Sequence, residues 1–341
     1  MRKQTRTLAM TIAATLLASA AFAQDVTVRL SHWVPPTHPI AAQSLGPWSE
    51  SITAASGGTI NFQIFPSAQL GAPVDHYDMA RDGIADVTFL NPGFSAGRFP
   101  VFGAISTPML VSDAKGGITA LNEWYRSYAQ TEMADVKFCL GFMLSPLIFH
   151  TTKPVERPSD LAGMKIRPSS AMEAAFISAQ GGATVPGSNP EAREMISRGV
   201  IDGTTGVIGS NYAFGVMDVT QFHTMVPFSA VSFAIVMNKA KYDGMSEDQK
   251  AVIDDHCGTE AAVKWFSAPQ AFEDEGEVKL RASTDGRTII EPSPEALVEW
   301  KTAADAARGV WAEEATAKGL DADAIMTDLK TRLSASGALV E

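Results

Sequence analysis

Segments with the alternation of β-strands and segments with helical periodicity follow one another along most of this chain, and this order restricts its fold more than any other feature. In the first part, strands are predicted at 26–30, 59–65 and 85–90, with helices at 46–55 and just before residue 85. Strands that alternate with helices pair in parallel, and such sheets bind ligands beyond the carboxyl ends of their strands. Trp33 and Asn91 each follow a strand, so we expect both on one rim of a cleft.

A second block of the same kind begins near residue 136. Strands are predicted at 138–144, 147–151, 164–167, 231–237 and 288–290, and helices at 171–179, 190–198 and 246–282. Asn189 is placed to cap the helix at 190–198. Ser246 and Gln249 have the spacing of a capping box, and Pro269 predicts a kink in the long helix. Because no repeat or low-complexity linker separates the blocks, we expect strands rather than a flexible tether to join them.

The amino terminus has the three parts of a secretory signal peptide. Arg2, Lys3 and Arg6 precede the apolar run 8–21, which ends in Ala21-Phe22-Ala23. The run is shorter than the roughly 20 apolar residues that span a bilayer. We therefore predict that residues 1–23 are a signal peptide cleaved after Ala23, and that the mature protein is soluble in the periplasm.

Removal of 23 of the 341 residues leaves 318, too many for one hydrophobic core and suited to two lobes. Without the three basic leader residues, 24 basic and 38 acidic side chains give a net charge of −14. A protein this acidic is not expected to bind nucleic acid. Its exterior also repels anions, so any site for an acid must rest on local positive groups.

The chain has two cysteines, Cys139 in a strand-like run and Cys257 near the end of a helical pattern. An oxidising compartment permits a bridge between them. Their placement favours two separate buried thiols instead, and we therefore expect no disulfide bond between them.

Several motifs of chemical function are weak here. The run 93–97 fits the GxSxG pattern of a hydrolase around Ser95, but Pro100 follows too closely for the helix that such a serine needs. Asp75, His76 and Asp78 lie in a helical segment without the spacing of a metal site, and no nucleotide-binding glycine motif occurs. The sequence thus predicts no catalytic residues, no metal and no cofactor.

Arg167 stands at the end of a short predicted strand, where a guanidinium offers a rigid fork that matches a carboxylate. An isolated arginine is more often a surface residue. The run Asp160-Leu161-Ala162-Gly163-Met164-Lys165-Ile166-Arg167, however, resembles the D-L-x-G-x-K-[IL]-R signature of the DctP-type solute-binding subunits of tripartite ATP-independent periplasmic (TRAP) transporters. In that family the arginine of the motif binds the ligand carboxylate, and the resemblance implies this role for Arg167.

Four further segments resemble that family in the same order along the chain. They are 31–39 (SHWVPPTHP), 66–71 with 83–87, 198–203 (RGVIDG) and 236–239. The resemblance implies a two-lobed α/β fold of the periplasmic binding-protein type, with crossover strands and a long lobe-bridging helix. Lobe I would comprise 24–144 plus about 230–271, and lobe II 145–229 plus about 272–341. The resemblance further implies a small organic-acid ligand, the membrane subunits of a TRAP transporter as partners, and no enzymatic activity. We expect a monomer.

Departures from the family pattern restrict the kinds of ligand that we expect. Sialic-acid-binding members have a second arginine twenty residues before the signature arginine, and Leu147 occupies that position here. Asn189 stands where those members have an aromatic residue, and Gly206 where they have an asparagine. If Leu147 and Phe149 share one strand face, they form an apolar wall opposite the fork.

A single cationic anchor favours a monocarboxylate, because a second buried carboxylate without a partner is costly. Trp33, Phe149 and Phe94 would line the rest of the cleft and favour an apolar or aromatic body. Asn91 and Asn189 would supply polar contacts. Two alternatives stay open at this point, an exported serine hydrolase that uses Ser95 and a binding protein that serves a sensor instead of a transporter.

Overall fold

A computed structural model describes residues 25–95 and 97–340. The predicted signal peptide and its cleavage site after Ala23 lie outside the described residues. Within the described ranges, no helix combines the length and the apolar character needed to cross a membrane.

The order of elements follows the predicted alternation of strands and helices. The strands are β1 (Val26–Ser31), β2 (Ile60–Phe65), β3 (Val87–Leu90), β4 (Val136–Thr151), β5 (Lys165–Arg167), β6 (Ala183–Thr184), β7 (Gly203–Gly206), β8 (Phe222–Asn238) and β9 (Thr288–Ile290). The helices are α1 (Gly46–Ala55), α2 (His76–Arg81), α3 (Pro100–Gly103), α4 (Ala114–Glu132), α5 (Ala171–Ala179), α6 (Asn189–Ser197), α7 (Ile208–Ala213), α8 (Lys239–Asp243), α9 (Glu247–Asp255), α10 (Thr259–Phe266), α11 (Ala268–Arg281), α12 (Pro294–Ala317) and α13 (Ala322–Ala335).

The strands described in the structure form one mixed sheet in the order β2-β1-β3-β8-β4-β7-β5-β6, with β9 beside β8. β1 runs parallel to β2 and β3, and β5 runs parallel to β6 and β7. The long strands β4 and β8 are antiparallel to each other and join the two parallel groups. We call the half that holds β1–β3 the first lobe and the half that holds β5–β7 the second lobe.

Each lobe has its own hydrophobic core. Trp48, Trp124 and Phe142 are among the fully buried side chains of the first-lobe core. Phe149, Phe228 and Trp300 lie together in the second-lobe core, and the ring centroids of Phe149 and Phe228 are 4.6 Å apart. Almost all of β4 and β8 is buried, as expected for strands covered by helices on both faces.

The carboxyl-terminal helices α12 and α13 differ in which lobes they contact. The 24-residue helix α12 contacts α5 in the second lobe and α3 in the first, so it is the long helix that bridges both lobes. The last helix, α13, packs on α4 in the first lobe. This contact departs from the predicted boundary, which placed all of 272–341 in lobe II. The other lobe boundaries stay a prediction.

Local capping rules account for most helix starts. The capping box of Ser246 and Gln249 is confirmed, and Ser293 caps α12 by accepting a hydrogen bond from the Ala296 amide at 3.2 Å. The predicted single helix over 246–282 is wrong, because it is broken into α9, α10 and α11. The cap of α6 is Ser188 and not Asn189, since the Glu191 carboxylate accepts from the Ser188 amide at 2.7 Å.

The expectation of two separate thiols is also wrong. Cys139 and Cys257 form a disulfide, with their Cα atoms 4.4 Å apart and 118 positions apart in sequence. The bond joins β4 to the turn between α9 and α10, and both residues belong to the first-lobe core. The two segments are brought together by packing of α10 on β4, which no local pattern predicts.

Candidate functional site

The carboxyl ends of four strands meet at the junction of the lobes. β1 and β3 end there in the first lobe, and β5 and β7 end there in the second, as expected for ligand sites of parallel sheets. The residues after these strands, with parts of β4, β8 and α7, line a small inner cavity. Its lining residues are Trp33, His38, Ile40, Asn91, Phe94, Leu144, Leu147, Arg167, Ser169, Asn189, Gly206, Val207, Ser210, Phe214, Val231 and Phe233.

A wider outer cleft leads to the inner cavity. The outer cleft has a volume of about 490 Å³ and lies between 72–74 of the first lobe and residues around 168–174 and 184–191 of the second. The inner cavity has a volume of about 30 Å³. Phe94 lines both spaces, so its half-buried ring stands between the inner cavity and the entrance.

Arg167 ends β5, and only 1% of its surface is exposed. Its Nε donates to the Gly187 carbonyl at 2.9 Å, and its Nη1 donates to the hydroxyl of Ser169 at 3.1 Å. Nη1 also lies 3.3 Å from both the Thr204 hydroxyl and the Thr205 carbonyl. One edge of the guanidinium is therefore fixed by the protein. Nη2 has no hydrogen bond to a described residue, which leaves it to meet a ligand.

The charge of Arg167 is not neutralised by an ion pair within the described part of the chain. Burial lowers the pKa of Arg167 to about 10, whereas the charges of Glu173 and Glu191 raise it. The group therefore stays cationic at neutral pH. A buried cation without a contacting carboxylate is costly unless an anion completes it, and this makes the inner cavity a site for one negative charge.

Ser169, Thr205 and Glu173 form the support behind Arg167. The Glu173 carboxylate accepts from the Ser169 amide at 3.0 Å and from the Thr205 hydroxyl. Burial raises the pKa of Glu173, which has no exposed surface. Sequence reasoning missed these three residues. Their only sequence signal was position, because Thr205 lies near the end of β7 and Ser169 lies two residues after β5.

The two asparagines predicted at the site have different surroundings. The Asn91 carbonyl oxygen accepts from the Gly93 amide at 2.8 Å, so its amide nitrogen is free to face the cavity. The Asn189 carbonyl oxygen lies 3.4 Å from Nη1 of Arg167 and helps to orient the guanidinium. Asn91 belongs to the first lobe and Asn189 to the second, so a ligand between them contacts both lobes.

Most of the remaining wall is apolar. Trp33 stacks on Phe89 with ring centroids 5.1 Å apart and lies 5.6 Å from Phe94 and 6.4 Å from Phe214. Leu147, fully buried in β4, faces the same space. Aromatic faces of this kind suit a planar apolar ligand body.

Phe149 does not share this wall, contrary to the prediction. Its ring packs in the second-lobe core, 5.4 Å from Trp300. The pairing of β4 with β8 shifts register between Leu147 and Phe149, so the simple alternation of strand faces fails at this point. The other seven predicted ligand-binding residues all line the inner cavity, and their part in binding remains a prediction.

Gly206 lies in the cavity wall where close packing leaves no room for a side chain. A Cβ atom at this position would overlap the side-chain amide of Asn211. The Asn211 amide is fully buried, with neither its oxygen nor its nitrogen hydrogen-bonded to a described residue. The absence of a side chain at Gly206 thus allows the Asn211 side chain to pack directly against the backbone of β7.

Polar side chains also meet in the wall formed by α7. His38 Nε2 lies 3.2 Å from the Ser210 hydroxyl, and that hydroxyl lies 2.5 Å from Oε1 of Glu273 on α11. The Ser210 amide donates to Oε2 of the same carboxylate at 3.0 Å. Burial raises the pKa of Glu273 to about 7 and lowers that of His38 to about 4. Sequence reasoning missed all three residues.

Ser95, the serine of the GxSxG run, has no catalytic surroundings. It follows the short helical turn Pro92–Phe94, and within the described ranges its hydroxyl has no hydrogen bond to a histidine. A hydrolase serine needs such a base to be activated. The structure gives the hydrolase alternative no support.

Comparisons with known proteins agree with this geometry. A TRAP solute-binding protein from an unidentified marine metagenome microbe, specific for aromatic acid ligands and solved with metahydroxyphenylacetate, is 29% identical, with a TM-score of 0.85 over 92% of this chain and 99% of that chain. A TRAP solute-binding protein of Rhodoferax ferrireducens T118, solved with copurified benzoate, is 25% identical, with a TM-score of 0.86 over 92% of this chain and 98% of that chain. The outer membrane transporter protein TsaT of Comamonas testosteroni is 24% identical over 91% of this chain and 92% of that protein. The model of the bacterial extracellular solute-binding protein family 7, DctP, matches residues 30–314, and this chain therefore belongs to that family of two-lobed solute-binding proteins of TRAP transporters.

Proposed function

We propose that this protein captures an aromatic monocarboxylate in the inner cavity and delivers it to the membrane subunits of a TRAP transporter. The observation that carries the proposal is Arg167, a buried cation with one free edge at an otherwise mostly apolar cavity. A carboxylate would complete that edge by charge-assisted hydrogen bonds. The amide nitrogen of Asn91 supplies a further donor from the opposite lobe.

The charges around the cavity favour one carboxylate over two. Arg167 is the only arginine or lysine in the described cavity lining. Leu147 occupies the place of the second arginine of the sialic-acid-binding relatives, and the buried Glu273 lies behind Ser210. A second carboxylate would lose its hydration without gaining a cation, which costs several kcal/mol.

The ligand body is inferred from the wall and from relatives. Trp33, Phe94 and Phe214 present aromatic rings, and ring-shaped acids gain both buried area and favourable ring contacts there. Benzoate and metahydroxyphenylacetate, found in the two related structures, both have this chemistry. These likenesses support an aromatic monocarboxylate rather than a sugar acid.

Binding requires the walls to move. A cavity of about 30 Å³ holds only about two water molecules, so an aromatic acid enters when the lobes part or when Phe94 turns toward the outer cleft. Once inside, the ligand touches Asn91 in the first lobe and Arg167 in the second. It therefore stabilises the closed arrangement, by which the membrane subunits recognise a loaded protein.

The test is a thermal-shift screen followed by calorimetry on the mature protein. A ligand that binds only the folded state raises the melting temperature. We expect aromatic monocarboxylates to bind with micromolar or tighter Kd, and C4-dicarboxylates and sugar acids to bind at least tenfold more weakly. Micromolar binding confined to either of the last two groups would refute the proposal. Light scattering of the same samples tests the predicted monomer.

A further inference from the structure

We propose that Ser210, held by His38 and Glu273, is a specificity-determining residue that accepts a hydrogen bond from a hydroxyl group on the aromatic acid. This inference rests on the proposed function, because it concerns a second polar point in the same cavity. Ser210 and His38 both line the inner cavity, as Arg167 does. The cavity would then bind two groups of one ligand, a carboxylate and a hydroxyl.

The direction of each hydrogen bond in this group follows from its neighbours. The Ile40 amide lies 3.3 Å from Nδ1 of His38, so Nδ1 is the acceptor and the ring proton is on Nε2. Nε2 then donates to the Ser210 hydroxyl at 3.2 Å. The Ser210 hydroxyl donates its one proton to Glu273 at 2.5 Å.

One acceptor position of Ser210 remains after these bonds. A serine hydroxyl has one proton and two lone pairs. Glu273 takes the proton and His38 takes one lone pair, so a single lone pair is left at the cavity wall. A ligand hydroxyl can donate to it, whereas a second carboxylate has no proton to give and would face the charge of Glu273.

The supporting carboxylate is held firmly. Glu273 is 5% exposed, and its Oε2 accepts from the Ser210 amide at 3.0 Å, so both oxygens are bound to the same residue. Gly276, one turn further along α11, lets the backbones of α11 and α7 touch, since a Cβ there would lie 2.5 Å from the Gly209 nitrogen. Ser210 therefore cannot turn its proton to the ligand without leaving a buried carboxylate oxygen unpaired.

The indole of Trp33 offers the complementary donor. Trp33 lines the same cavity, is 5% exposed, and its Nε1 has no hydrogen-bond acceptor among the described residues. A hydroxyl group can accept one hydrogen bond and donate another. It is thus the simple ring substituent that can use both an unbound N–H group and an unused lone pair.

The experiment compares benzoate with its 2-, 3- and 4-hydroxy derivatives by calorimetry at pH 8, where Glu273 is ionised. For the wild-type protein we expect at least one isomer to bind at least tenfold more tightly than benzoate. The matching methoxy compound, which cannot donate a proton, should bind no better than benzoate. In Ser210→Ala the preferred isomer should bind within threefold of benzoate, with both Kd values measured on that variant.

Two further variants separate this role from a loss of structure. Ser210→Thr keeps the hydroxyl and should keep the preference. Ser44→Ala removes a buried hydroxyl that has no hydrogen-bond partner in the described structure and does not line the cavity, so it should also leave the preference unchanged. Benzoate binding as tightly as every hydroxy isomer, or an unchanged preference in Ser210→Ala, would overturn the inference and leave the proposed function standing. Failure of all four acids to bind overturns the inference, and failure of every aromatic monocarboxylate in the thermal-shift screen overturns the proposed function as well.

Discussion

Replacement of Arg167 tests the centre of the site. Arg167→Ala removes the free Nη2 donor and the cationic charge that would face the ligand carboxylate. Hydrogen bonds to charged groups contribute about 1.5–3 kcal/mol each, and the attraction between the guanidinium and the carboxylate partly offsets the cost of burying the carboxylate. We therefore expect a loss of about 2–4 kcal/mol in binding, which corresponds to a Kd raised roughly 30-fold to 1,000-fold.

Arg167→Lys shows whether charge or shape dominates. The ammonium group keeps the positive charge, but it cannot donate to Gly187 and to the ligand in the way that the planar fork does. We expect it to recover less than about 1 kcal/mol of the loss. Arg126→Ala is the control for the loss of an arginine elsewhere, because Arg126 is exposed, donates to the Cys257 carbonyl at 2.6 Å and does not line the cavity.

The assay is calorimetry with the tightest-binding aromatic acid, with circular dichroism of each variant to confirm its fold. The alanine variant leaves the Gly187 carbonyl without its donor but also removes a costly buried charge, so its melting temperature is measured separately. If Arg167→Ala binds within threefold of the wild type, Arg167 is not the anchor and the reasoning from its free edge is wrong.

Three further predictions concern stability and selectivity. Because burial raises the pKa of Glu273 to about 7, the folded protein holds a proton there that the unfolded chain releases near pH 4.5. Between pH 5 and pH 8 the free energy of unfolding of the wild type should therefore fall by about 2–3 kcal/mol more than that of Glu273→Gln. Urea denaturation at both pH values measures this difference. Replacing both Cys139 and Cys257 by serine should lower the free energy of unfolding by about 2–4 kcal/mol without changing ligand affinity, since both lie outside the cavity lining. Leu147→Arg should raise the affinity for dicarboxylates relative to benzoate, whereas Leu147→Met should leave that ratio within threefold; no change in the arginine variant would contradict the single-anchor argument.

The parts of the site that follow strands were predictable from the sequence. Trp33 and Asn91 were placed on the rim because parallel strands end on one side of a sheet, and the structure puts both in the cavity lining. Arg167 was singled out by its motif and by the short strand before it. These predictions depended on local patterns and on one general rule of sheet geometry.

The residues that sequence reasoning missed depend on packing between distant segments. His38, Ser210 and Glu273 come from a loop, α7 and α11, and only the contact of the two helices brings them together. Glu273 stands in an acidic run that looks like an exposed helix face. Phe149 was misplaced for a related reason, because the irregular pairing of β4 with β8 is not visible in the alternation of residues along β4.

The pairing of β4 with β8 across both lobes has a consequence for how the protein is built. The ladder extends from Val136 paired with Asn238, in the first lobe, to Thr151 paired with Phe222, in the second. Dividing the chain at one position therefore does not give two complete lobes, because β4 and β8 each contribute to both lobes. Melting of one half also strips the other of its neighbouring strand, so we expect a single cooperative transition rather than two. The same shared strands make the two halves one mechanical unit, since neither half can separate without breaking the pairing of β4 with β8.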